Sequence, residues 1–236
     1  MDPHEQRTLA KAALVALAPL LLALLELFHP HPHADDLLAV QVNTWLFVHY
    51  AQIVLFPLAA LAVVSLLRGM TGLTAMASRA ALFVFAICFV AFDTAAGVAT
   101  GILVQAAHAS GHPETWRAAI DAIWLHPIVG GVRQDHIPSL SMIGAATLSI
   151  GTVAAAVTLK HAGRSWPPVL LLGVSGFGLE VFNTHSWPGG PLTFGGIAVA
   201  AAWLEWQAGR ATAANTVAIT RNATVIPRPV VERRRG

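Results

Sequence analysis

Residues 81–105 read ALFVFAICFVAFDTAAGVATGILVQ, with a single charged side chain, Asp93, near the middle. The apolar residues run continuously and do not alternate, so a half-buried or barrel strand is a poor reading. As a helix, this stretch would extend about 37 Å. That is enough to cross a hydrocarbon core of about 30 Å. A charge at the bilayer centre costs about 2.5 kcal/mol or more. Asp93 is therefore expected to be enclosed by neighbouring helices.

Composition extends this reading to the whole chain. Of 236 residues, 56% are hydrophobic and only 11% are Asp, Glu, Lys or Arg, against about 25% in soluble domains. So few charges cannot cover a soluble protein of this length, and lipid is the expected partner of much of the surface. The net charge of +2 and the lack of a basic stripe argue against nucleic acid. Cys88 is the only cysteine, which excludes an intrachain disulfide and any CxxC metal or redox motif. The bias towards Ala, Val, Leu, Gly and Arg points to a GC-rich bacterial genome.

Six runs reach spanning length or approach it: about 9–28, 41–67, 80–107, 136–159, 167–185 and 192–209. The fifth is the weakest, interrupted by Gly173, Gly176, Gly178 and Glu180. With the N-terminus inside, the cytoplasmic segments hold twelve basic residues: Arg7, Lys11, Arg68, Arg79, Lys160, Arg164, Arg210, Arg221, Arg228, Arg233, Arg234 and Arg235. The outer segments hold Arg117 and Arg133 alone. That asymmetry is what the positive-inside rule requires of six spans. The expectation is an all-α, six-transmembrane bundle of the bacterial inner membrane, with both termini cytoplasmic. No small-x-small cleavage site follows the first run, so it reads as a span and not a signal peptide. In the long outer connection, ETWRAAIDAIWL (114–125) sets Trp116, Ile120, Ile123 and Trp124 on one face. This predicts a short interfacial amphipathic helix. Residues 210–236 read as a disordered basic tail.

The topology sorts the ionisable residues. Of eleven histidines, only His4 and His161 fall inside. The rest lie outside or in the outer half of a span, together with Glu26, Asp35, Asp36, Asp121, Asp135 and Glu180. The turn LLELFHPHPHADDLL (24–38) belongs to that end. Its HPHPH core reads as a restrained, solvated turn with loose spacing for a metal site, and Glu26 is expected to snorkel. Measured from the span midpoints, Asp93 lies near the midplane, and His49 and Glu180 about 6–8 Å further out.

Helical spacing gathers these groups. Asp93, Gly97, Gly101, Gln105 and His108 share one face of the third span, and GVATG (97–101) permits close approach of another backbone. Gln41, Trp45, His49, Gln52 and Phe56 share a face of the second, where Pro57 is expected to kink the helix. Gly176, Glu180 and Asn183 share a face of the fifth, with His185 just beyond. If these stripes face one another, they enclose a polar cavity open to the outside and floored near Asp93.

The expected function is binding of a metal or small ligand in that cavity, with redox or hydrolytic chemistry. The expected catalytic residues are Asp93 as the buried acid, His49 as a base or ligand, and Glu180 as their partner. Gln52, Gln105, Asn183 and Trp45 would contact the ligand. His49, Asp93, His136 and His185 would supply mixed N/O ligands to zinc, iron or copper. A haem held by two histidines is a further option, opposed by the lack of a second deep histidine at the level of His49. Three other functions fit the composition. One is a proton-coupled or small-solute transporter. Another is a carboxylate enzyme acting on a lipid or isoprenoid, comparable in size and chemistry to small membrane-embedded terpene cyclases. The last is a noncatalytic subunit.

Overall fold

A computed structural model describes residues 3–30, 36–132 and 137–224, with side chains between residues 5 and 211. Every regular element among the described residues is helical. The helices are α1 (Pro3–Glu26), α2 (Val42–Leu66), α3 (Leu73–Ala109), α4 (Arg117–Trp124), α5 (Leu140–His161), α6 (Trp166–Ser175), α7 (Gly178–Val181) and α8 (Gly189–Thr224). Four of them, α1, α2, α3 and α5, are long and apolar enough to cross a membrane. A shorter apolar segment runs from Trp166 to Val181.

The bundle is inside-out. Leu14 is 71% exposed, Phe47 66% and Val174 68%, while the polar side chains of Glu26, Gln52, Asp93 and Thr152 are fully enclosed. In water, such an apolar exterior would drive aggregation; in lipid it is the solvated surface. The core is aromatic. Phe56 of α2 meets Phe89 of α3 at 4.6 Å between ring centroids and Phe194 of α8 at 5.6 Å. Close helix approach comes from small residues. Gly144 and Gly151 of α5 lie against Phe89 and Leu82 of α3, and Ser78 Oγ donates to the Gly151 carbonyl across that seam at 2.8 Å. α1 lies along α8 as α3 lies along α5.

Backbone irregularity falls in a different place from the one expected. α2 continues as α-helix through Pro57. α3 instead contains a π-helical segment, Asp93–Ala99. A π segment widens the turn and leaves carbonyls without their usual i+4 partners, and such segments often mark functional sites. The weak fifth run is also broken. α6 stops at Ser175 and α7 is a single turn, so the segment is about 24 Å long. The chain after it, 182–188, turns back over the bundle. Asn183 begins that turn in the left-handed region, at φ 53°, a conformation Asn tolerates better than most residues. α8 begins at Gly189, earlier than the boundary expected at 192, and stays helical to Thr224.

The connection between α3 and α5 holds the expected short helix. A 3₁₀ turn, Pro113–Trp116, leads into α4. Its Ile120 is buried with Leu37, Val104 and Ala107 against the C-terminal end of α3. Arg117 fastens this corner, donating to Glu114 at 2.9 Å and pairing with Asp36 at 3.5 Å.

Candidate metal centre

Three histidines from three separate segments meet at one end of the bundle. His29 follows the end of α1, His49 stands on α2, and His185 hangs from the connection between α7 and α8. One ring nitrogen from each lies within 4.8 Å of the others. The Nε2 atoms of His29 and His185 are 3.2 Å apart. Two nitrogens on one tetrahedral zinc are separated by about 3.3 Å. The same distance suits an N–H···N hydrogen bond between neutral rings.

Two of the rings are held in the form a metal requires. His49 Nδ1 lies 2.8 Å from the Trp45 carbonyl, and His29 Nδ1 lies 2.8 Å from the Pro30 carbonyl. A carbonyl only accepts, so each Nδ1 carries the proton and each Nε2 keeps its lone pair. Nδ1–H···O=C support of this kind is the usual outer shell of a metal-ligating histidine.

Neighbouring groups fix the His49 ring on its other side. The ring lies directly across Gly97, where any Cβ would overlap it. Gly101, one turn along, lies in the same way under Trp45 and Leu46. The GVATG face is thus a seat for α2 side chains. Trp45 closes the arrangement: its indole N–H donates to the Gly97 carbonyl at 2.7 Å, and its ring lies 4.4 Å from that of His49.

The histidines border a cavity of about 500 Å³, within the range of small-molecule sites. Trp45, Phe89, Phe92 and Trp124 form aromatic walls, and Ser141, Glu180, Asn183 and Thr184 supply polar groups. Glu180 and Asn183 are exposed. Trp187 is exposed and outside the lining.

The residues singled out from sequence divide among several places. His49 and His185 come together, and Trp45, Glu180 and Asn183 share their cavity. His136, with His31 and His33, lies outside the described residues. Gln105 is exposed on the C-terminal part of α3, away from the cavity. Asp93 is fully enclosed but neither lines the cavity nor belongs to the histidine cluster. Gln52 is also fully enclosed, and donates to Glu26 Oε1 at 2.7 Å.

Two corrections concern the α1–α2 turn. Glu26 does not snorkel; it is completely buried, because α8 and Gln52 close over it. His29, the first histidine of HPHPH, turns inward and is buried 5.0 Å from His49 between ring centroids. It is therefore the second deep histidine whose absence opposed haem. Its place opposite His185 nevertheless leaves no gap for a porphyrin plane between those two rings. The available sequence signal was periodicity: Glu26 and His29 are three residues apart and so share one side of the helix end.

Comparison of the chain with protein-family models, curated proteins and solved structures finds no match.

Proposed function

We propose that this protein crosses the bacterial inner membrane six times, with both termini cytoplasmic. In this reading it binds one transition-metal ion at His29, His49 and His185, facing the extracytoplasmic side. α6–α7 and the first part of α8 supply the last two crossings, and the basic-residue asymmetry sets the orientation. The observation that carries the metal reading is the convergence of three imidazole nitrogens within 4.8 Å. All three donors are nitrogen, which suits zinc, copper or iron and disfavours magnesium or calcium.

Three protein ligands leave a coordination position open, as in catalytic zinc sites. The aromatic cavity lies on that side, so the position is directed at a small ligand. A metal held there supplies Lewis-acid or, with iron or copper, redox chemistry. The chain supplies shape and orientation. Trp45 and Gly97 fix His49, while Glu180 offers a carboxylate at the cavity wall.

Metal analysis of protein purified in detergent without chelator tests this. About one zinc, copper or iron ion per chain is expected. His29→Ala, His49→Ala and His185→Ala should each lower the content sharply, whereas Asp93→Asn should keep it. Wild-type protein retaining no more metal than the triple histidine variant would remove the proposal. Reporter fusions after residues 68, 110 and 210 test the orientation: cytoplasmic at 68 and 210, and external at 110.

A further inference from the structure

One helical turn below His49, the bundle encloses oxygen atoms with no hydrogen-bond partner. They are Glu26 Oε2, Gln52 Oε1 and both carboxylate oxygens of Asp93. All three side chains have zero exposure. Gln52 is held against Glu26 by the 2.7 Å bond from its Nε2 to Glu26 Oε1. Gly101 of α3 lies against Trp45 and Gly97 against His49, so Asp93, one turn before Gly97, stands level with Gln52. Gln52 Oε1 only accepts, and the carboxyl oxygens only accept when ionised. In a membrane interior, acceptors without donors cost several kcal/mol each, so the arrangement calls for a positive occupant.

We propose that Glu26, Gln52 and Asp93 form a second cation site, one that takes a hard monovalent ion of sodium type. Oxygen-only donors disfavour the soft and borderline metals suited to the histidine cluster. Calcium takes 6–8 oxygens and magnesium keeps several waters; a fully enclosed set of four oxygens provides neither. A single positive charge between two carboxylates leaves one net negative charge, and the fold opposes it. The first turn of α8 approaches Glu26 so closely that a Cβ on Gly190 would sit 2.7 Å from Glu26 Cγ. The positive end of that long helix therefore lies beside the Glu26 side chain. The π segment begins at Asp93 itself, and irregular mid-membrane backbone commonly borders coupling-ion sites in transporters. The site stands independently of the metal centre, although both draw on the end of α1 and on α2.

Thermal unfolding in detergent, with sodium, potassium or N-methylglucamine chloride at equal ionic strength and fixed pH, tests it. Sodium at a hundredfold its dissociation constant should raise Tm by about 5–10 °C. Wild-type protein should bind ²²Na⁺ saturably. Asp93→Asn and Gln52→Leu should each lose the shift; the second variant serves if the first does not fold. His49→Ala should keep the shift while losing transition metal, which separates the two sites. Equal Tm values in all three salts with no saturable ²²Na⁺ binding would overturn the proposal. A stability that follows pH and ignores sodium would assign the oxygens to protons and overturn it equally.

Discussion

Trp45 and Gly97 are joined by a 2.7 Å hydrogen bond from the indole N–H to a carbonyl inside the π segment of α3. The Trp45 carbonyl meanwhile accepts from His49 Nδ1. One residue thus satisfies an acceptor on the neighbouring helix and sets the tautomer of a candidate metal ligand. Helix α3 and the histidine cluster are coupled through it.

Trp45→Phe keeps the ring contact with His49 and deletes the donor. The Gly97 carbonyl then keeps only the Thr100 N–H as partner, a loss of about 0.5–1.5 kcal/mol. The backbone carbonyl that holds His49 Nδ1 stays, so metal affinity should fall by less than the roughly 10–100-fold that follows loss of a ligand's direct outer-shell partner. Thermal unfolding and competition with a chromogenic chelator read the two effects. Unchanged affinity would mean that the indole N–H does not position His49.

Gly97→Ala puts a methyl group into the imidazole of His49, 2.8 Å from Nε2 and nearer still to the ring carbons. The ring cannot retreat without losing its bond to Trp45. Overpacking of this kind costs about 1–3 kcal/mol. The variant should insert, unfold at lower temperature and bind metal weakly. Gly69→Ala is the control for handling a glycine change: its Cβ meets nothing within 4 Å, although its φ of 75° makes it mildly destabilising. It should leave metal binding intact.

Glu114 gives a pH signature outside the membrane. The Arg117 guanidinium bonded to it holds its carboxyl below the ordinary value of 4.5. A depressed carboxyl pKa in the folded state contributes stability above the unfolded value, which is lost as pH falls through the folded value. Wild-type protein should therefore lose a small increment of stability below about pH 4.5, and Glu114→Gln should lack that increment. Because the pair is exposed, the difference should shrink in high salt. Acid unfolding curves of the two proteins at low and high salt measure it.

Much of the helix set was legible in the residues. Runs as long and as poor in charge as 81–105 have few alternatives to a spanning helix, since a lipid-facing backbone must bond to itself. Helices at Val42–Leu66, Leu73–Ala109 and Leu140–His161 follow from that constraint. The amphipathic α4 was legible from Ile120, which the structure buries. The gathering of polar groups on α2 was legible as well, because helical periodicity alone puts Trp45, His49 and Gln52 on one side.

Other features depended on contacts between segments distant in sequence. Periodicity along α3 placed Asp93 and Gln105 on one stripe, yet the former is enclosed and the latter exposed. The difference arises because the π segment alters the helical phase between them and because α2 side chains seat on α3 at Gly97 and Gly101, before Gln105. The inward turn of His29 depends on where α1 ends relative to α2, and its approach to His185 spans 156 positions of sequence. Sequence by itself determined that the chain is helical, with helices long and apolar enough to cross a membrane, through the energetic cost of unpaired backbone and buried charge in hydrocarbon. Only tertiary structure decided which histidines meet, because that depends on how the helix ends and the 182–188 connection fold over one another, and no local periodicity encodes it.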